Sequence, residues 1–313
     1  MRSYAIIGTG AVGGYYGACL QRAGFPVHFL LRSDYEQVKQ QGLTIESVYG
    51  DFQLPQVKAY NSTAQMPTCD VILVTLKTTQ NYQLSKLLPP LLHENSIIIL
   101  LQNGLGFEAE LAQSFPKHTI LGGLAFICAN KVGAGQIRHL DYQKIKFAEY
   151  AHQYAAKGIT EALKKIAEDF RQAKIEIELG EDLLLTRWEK LVWNIPYNGS
   201  SVVLDAQTNE LMANPSSRQL VEALMEEVVL GAKSSGRLLD NSFIQTMLDH
   251  TDKMTPYFTS MKLDYNAKRP LEVEGIVGNP LRFAHGLGVE LPKIEMLYQQ
   301  LKYLDQQNCS SNQ

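Results

Sequence analysis

The chain holds 313 residues with a formal net charge of -3 and a pI near 6.2, which leaves no basic footprint for nucleic acid. Its longest apolar runs, such as Ile97 to Leu101, are far too short to span a membrane, and no basic-then-apolar leader opens it, so a cytoplasmic protein is expected. The four cysteines, Cys19, Cys69, Cys128 and Cys309, are scattered without a C-x-x-C pair, which argues for reduced, mostly buried thiols and against a zinc site or a disulfide framework.

The first stretch, Ser3 to Gly17, reads as a buried strand, a glycine turn and a helix N-terminus. Within Gly8-Thr9-Gly10-Ala11-Val12-Gly13, Gly8 permits the tight turn and Gly10 removes the Cβ that would hold a pyrophosphate off the backbone. Gly13 lets helix and strand pack closely, and the helix offers N–H groups and the positive end of its dipole to phosphate oxygens. A second apolar run, Val27 to Leu31, closes a strand–helix–strand unit of about 30 residues, so the motif predicts a dinucleotide site rather than a turn kept for packing. Where that run ends, a carboxylate would suit the ribose hydroxyls of NAD and a cation the 2′-phosphate of NADP. Arg32, with Ser33 as an extra donor, points to NADP(H); Asp34 could take the carboxylate role or cap the next helix.

Two further apolar runs have the length of parallel strands covered on both faces: Val71 to Leu76, which delivers Lys77, and Ser96 to Leu101, which delivers Gln102-Asn103-Gly104. Ligands of open α/β sheets sit beyond the carboxyl ends of strands, which makes Lys77 and Asn103 candidates for cofactor or substrate contact. From Thr119 the pattern predicts short antiparallel strands over 120–128, 136–140 and 144–149, with His139 structural. A helix over 156–173 and a last strand, Lys174 to Leu179, lead to Gly180 and an expected domain boundary.

Beyond Gly180 helical periodicity takes over in 181–197, 216–235, 241–253, 272–287 and after Pro292, and the polar tail 306–313 is expected to fray. The first of these helices is apolar around most of its circumference, yet Lys190, Asn194 and Asn198 recur every four residues along one face. A lysine there either snorkels to water or faces a cleft and a partner, and Pro196 should break the helix where the stripe ends. The expected fold is α/β: a Rossmann-type dinucleotide-binding domain over 1–180, then an all-helical substrate and catalytic domain over 181–313.

In this order, Gly8 to Gly13, Leu76 to Gln80, Gln102 to Gly106, Trp188-Glu189-Lys190-Leu191 with Asn194 and Asn198, Ser260-Met261 and Arg269 to Gly275 resemble the ketopantoate reductase family, the 2-dehydropantoate 2-reductases, across essentially the whole chain. The resemblance implies NADPH-dependent reduction of a 2-oxo acid, ketopantoate to pantoate in pantothenate biosynthesis. It implies Lys190 as the general acid at the C2 oxygen and Glu272 as the group that orients substrate and pairs with the lysine. It implies Asn103 beside nicotinamide and substrate, and Asn194, Asn198 and Ser260 on substrate hydroxyl and carboxylate groups. Lys77 would reach the cofactor, with Thr9, Ala11, Val12 and the three glycines around its phosphates and Arg32 on its 2′-phosphate. Hydride addition builds negative charge on a carbonyl oxygen, so an ammonium aimed there stabilises the transition state more than the ground state.

One departure stands out: family members carry a proline and an apolar residue after the equivalent of Asn198, whereas this chain reads Gly199-Ser200, which is expected to alter the wall beside the substrate. The alternatives are a paralogue acting on another small 2-oxo acid and a non-catalytic NADP-binding sensor. The expected partner is a small 2-oxo acid, with no nucleic acid, membrane or metal, and apolar helices leave room for a homodimer.

Overall fold

Short, fully apolar segments make the centre of the first unit. Its strands are β1 (Tyr4–Ile7), β2 (Val27–Leu30), β3 (Leu43–Ser47), β4 (Phe52–Leu54), β5 (Lys58–Tyr60), β6 (Val71–Val74), β7 (Ile97–Leu100), β8 (Thr119–Gly133), β9 (Gln136–Glu149) and β10 (Ile177–Gly180). They form one sheet in the order β4-β3-β9-β8-β7-β6-β1-β2-β5, with β10 also on β9. The strands β8, β7, β6, β1, β2 and β5 run parallel, and all four residues of β1, β2 and β6 are buried, as a sheet covered on both faces requires. Helices α1 (Ala11–Arg22), α2 (Tyr35–Gln41), α3 (Leu84–Leu87), α4 (Phe107–Ser114) and α5 (Glu161–Gln172) fill the connections. The computed structural model describes residues 1–256 and 258–310.

A buried carboxylate ties α5 to the first strand. Asp169 accepts from Arg2 Nε and from the Tyr4 hydroxyl, both at 2.6 Å, so its charge is matched inside the core.

The second unit, Asn103–Phe107 with Leu184–Gln313, is helical among the described residues: α6 (Leu183–Val203), α7 (Thr208–Ala213), α8 (Pro215–Ser234), α9 (Asn241–Lys253), α10 (Ser260–Asn266), α11 (Asn279–Gly286) and α12 (Pro292–Ser310). The first unit comprises Met1–Gln102 and Glu108–Leu183. A π-helical turn, Glu274–Gly278, leads into α11.

Several expectations are corrected. The three short strands after Thr119 are two long ones: β8 and β9 pair antiparallel through shifts in register, and Tyr142, at φ 53°, is accommodated inside β9 rather than ending it. The helix expected over 156–173 starts at Glu161, where the Thr160 side chain accepts from Leu163 N and caps it. Helix α6 continues through Pro196 to Val203 instead of breaking, and residues 306–310 of the tail are the end of α12; the rest of the tail lies outside the described residues. The sequence pattern does not predict strands β3 to β5 or helices α3, α4, α7 and α10. His139 is buried, bonded to Ser47 Oγ at 2.8 Å and stacked 4.4 Å from Tyr15, in keeping with a structural role.

Candidate active site

Register decides what the first unit can present. Ile7 is level with both Leu30 and Val74, and Val74 with Leu100, so β1, β2, β6 and β7 end together, and the glycine loop, Arg32 and Lys77 follow from that one edge. Gly8 sits at φ 104°, in the left-handed region that favours glycine. A Cβ on Gly13 would lie 2.2 Å from Thr75 Oγ1 and 2.4 Å from Gly8 O, which is why helix and strand can meet only through a glycine. A Cβ on Gly10 would meet nothing within 4 Å: the space over the loop is open. Helix α1 starts there with no side-chain cap, so its first N–H groups are offered to a ligand, and the loop fits a dinucleotide pyrophosphate. Two hydroxyls hold its shape: Thr9 Oγ1 donates to Leu30 O at 2.8 Å, and Thr75 Oγ1, which the sequence pattern does not mark, donates to Gly8 O at 2.6 Å. Ala11 and Val12 are half-buried in the first turn of α1.

At the end of β2 the two candidate side chains differ in burial. Asp34 is buried, contacts Lys131 Nζ at 2.5 Å and accepts from Gly135 N at 3.3 Å, and it makes no side-chain cap on α2. Arg32 and Ser33 are exposed. Lys77, also exposed, stands just before a 3-10 turn, Thr78–Gln83.

In the second unit the stripe on α6 becomes a hydrogen-bonded run. Lys190 is half-buried; one turn on, buried Asn194 donates through Nδ2 to Asn103 Oδ1 at 3.2 Å. Asn103 is held by its own loop: Gly104 lies at φ 97° with its Cβ position 2.2 Å from Gly275 O, and Leu105 N donates to the same oxygen at 3.1 Å. Asn279 Nδ2 adds a bond to Leu105 O at 2.7 Å. Asn198, also buried, donates to Asn194 O at 3.0 Å and accepts from Met261 N at 3.3 Å, so its amide is in part a strut between α6 and α10.

Two more ties fasten α10, whose first residue is Ser260. Ser201 Oγ meets Thr259 Oγ1 at 2.7 Å, and the buried Lys262 reaches Asp205 Oδ1 at 2.6 Å. Ser201 lies one turn beyond Asn198 and could have been read as an extension of the stripe; nothing in the sequence marked Thr259 or Asp205. Glu272 is buried at the head of the π-helical turn. Beside it, burial would raise the carboxyl of Glu274, but hydrogen bonds from Lys302, Tyr298 and Arg282 outweigh that and hold it below the usual range.

The departure after Asn198 serves packing. A Cβ on Gly199 would stand 2.5 Å from Leu297 Cδ2, so this glycine faces α12 and not the polar stripe, and Ser200 beside it is buried.

Comparison with known proteins gives the site its context. The model of the ketopantoate reductase PanE/ApbA family matches residues 4–152, and that of its C-terminal part matches residues 182–305. The chain belongs to the ketopantoate reductase family. It is 63% identical over 98% of its length to a 2-dehydropantoate 2-reductase of Nostoc sp., covering 96% of that protein. The crystal structure of 2-dehydropantoate 2-reductase from Geobacter metallireducens superposes with a TM-score of 0.92 at 40% identity, covering 96% of this chain and 99% of that one. That from Methylococcus capsulatus gives 0.88 at 32% identity, covering 98% and 97%. Membership of a dinucleotide-binding family of reductases makes the protein an oxidoreductase, and the non-catalytic sensor is set aside. Among the described residues no helix is long and apolar enough to cross a membrane, and no cluster of three or more His, Cys, Asp or Glu could hold a metal.

Proposed function

We propose that this ketopantoate reductase family member reduces 2-dehydropantoate to pantoate with NADPH, the first unit taking the dinucleotide and the second carrying the substrate and catalytic groups. The substrate assignment is supported by the Nostoc relative. The residue roles rest on one observation, the hydrogen bond from Asn194 to Asn103, which joins the α6 stripe to the loop that follows β7.

Bound NADPH supplies the hydride that reaches C2 of the 2-oxo acid. Lys190 gives its proton to the C2 oxygen, so that a carbonyl becomes a secondary alcohol and the lysine is reprotonated from water. Glu272 orients the substrate and partners the ammonium. Asn103, Asn194, Asn198 and Ser260 hold substrate hydroxyl and carboxylate groups, and Asn194 and Asn198 do so from geometry already fixed by the bonds described above. Gly8, Thr9, Gly10, Ala11, Val12 and Gly13 receive the pyrophosphate, Lys77 reaches the cofactor and Arg32 its 2′-phosphate.

The test is steady-state oxidation of NADPH with 2-dehydropantoate, wild type against Lys190→Ala. Loss of a proton donor should lower kcat ~10²–10⁴-fold while NADPH affinity is kept. Wild-type turnover confined to a different 2-oxo acid would overturn the substrate, and an unimpaired Lys190→Ala would overturn the role of the lysine.

A further inference from the structure

The residues around Glu272 are gripped from one side by the last helix. Tyr298, Lys302, Asp305 and Asn308 recur at helical spacing along one face of α12. Their partners run the opposite way along the segment that carries Glu272. Asn308 Nδ2 donates to Arg269 O at 3.1 Å, and Asp305 Oδ1 accepts from Leu271 N at 2.9 Å. Lys302 Nζ and Tyr298 OH both donate to Glu274 Oε1, at 2.9 and 2.8 Å. The far end of the segment is pinned to α10, because Arg269 bonds Asp264 through its backbone N–H and its Nε, each at 2.9 Å. Glu274 continues the chain of contacts through Arg282 at 2.8 Å, which also bonds Asn279 Oδ1 at 2.7 Å, and Asn279 holds Leu105 O in the Asn103 loop.

Glu272 thus lies between two fixed points, the Leu271 N–H held by Asp305 and the Glu274 carboxylate held by Lys302 and Tyr298. We propose that α12 is a splint for Glu272, and that Asp305 is a positioning residue for the reaction, acting through the backbone of Leu271 on the side chain that follows it. The inference rests on the role given to Glu272 above. A carboxylate that must meet substrate within a fraction of an ångström needs its backbone fixed, and Pro270, which has no N–H, cannot contribute a bond of its own there.

A double-mutant cycle separates positioning from simple support of the fold. The readout is single-turnover oxidation of NADPH by 2-dehydropantoate with enzyme in excess, so that slow variants stay measurable, alongside the melting temperature. Asp305→Ala should slow the wild-type reaction about 10- to 100-fold, and Asp305→Asn, which keeps an acceptor for Leu271 N–H, should restore most of it. In the Glu272→Ala background, Asp305→Ala should cost nothing further. The same fold loss in both backgrounds, or no loss in either, overturns the splint. If Asp305→Ala fails to fold, Asn308→Ala, which releases Arg269 O, is put through the same cycle under the same criteria. A fully active Glu272→Ala would instead remove the role of Glu272 itself, and the splint with it; additive losses with an impaired Glu272→Ala overturn the splint alone.

Discussion

In the first unit the loop Gly8–Gly13 is shaped by backbone and by missing side chains: a left-handed Gly8, a Gly13 with no room for a methyl group and a Gly10 facing open space. In the second unit the candidate groups are placed by side chains bonded to one another and to distant backbone, Asn194 to Asn103 and Asn198 to Met261 N. The first arrangement is announced by a short run of glycines, although Thr75 also holds it, and a single methyl group at Gly13 disrupts it. The second is assembled from residues far apart in the chain, and removing any one of them shifts others, so its effects should be non-additive.

The largest expected contrast lies within the glycine loop. Gly13→Ala forces a methyl group into Thr75 Oγ1 and the carbonyl of Gly8, and Thr75 cannot easily turn away because it bonds that same carbonyl. A loss of about 3 kcal/mol in stability is expected. Gly10→Ala meets no protein atom and has φ -86°, so the melting temperature should hardly move while dinucleotide affinity falls by more than about tenfold. Thermal melts with and without NADPH read both. Equal destabilisation by the two variants would mean that the loop is built for packing alone.

A smaller effect separates the two cofactors. With Asp34 engaged by Lys131 and Gly135, Arg32 is the charged group exposed at the end of β2. Arg32→Ala should weaken NADPH about 10- to 100-fold, the worth of one or two hydrogen bonds to a charged group, and leave NADH nearly unchanged. Equal losses for both, in a binding titration, would sink the 2′-phosphate assignment.

The same division explains what the sequence disclosed. The glycine loop, the buried runs of β1, β2, β6 and β7 and the Lys190–Asn194–Asn198 stripe are signals of period and composition, and they are all visible within a few residues. Strands β4 and β5 are three residues long and partly exposed, so no apolar pattern announces them. The stretch Asp141-Tyr142-Gln143 looks like a turn because its polarity hides a strand that absorbs an irregular residue without ending. The Asn103 loop depends on Gly104 meeting Gly275, more than 170 residues away, by an approach no local pattern encodes. The tail from Gln306 looks frayed for the same reason: Asn308 bonds the backbone of a distant segment, and a polar residue used in that way is indistinguishable from a solvated one.

The smallest effect sharpens the comparison through pH. In the first unit, burial, with help from the nearby Lys58 charge, lowers the His28 imidazole from 6.5 to about 4. Its neutral form bonds Tyr60 OH at 3.0 Å. Below its ordinary range an unfolded chain takes up a proton that the folded one refuses, so the stability His28 allows is whole above 6.5 and drains as pH falls toward 4. In the second unit Glu274 is held below its ordinary 4.5, so its contribution is whole above that value and is lost only as pH falls further, through the folded value. The first unit should therefore weaken earlier on acidification. At about pH 5.5 the His28 penalty is on the order of 1 kcal/mol. His28→Gln should flatten the fall in melting temperature between neutral pH and about pH 4. Glu274→Gln should leave that part of the curve parallel to wild type and converge with it only at lower pH. A His28→Gln curve that falls as steeply as wild type would show that the imidazole is protonated in the folded protein, and with it that β2 is wetter at Tyr60 than its buried side chains imply.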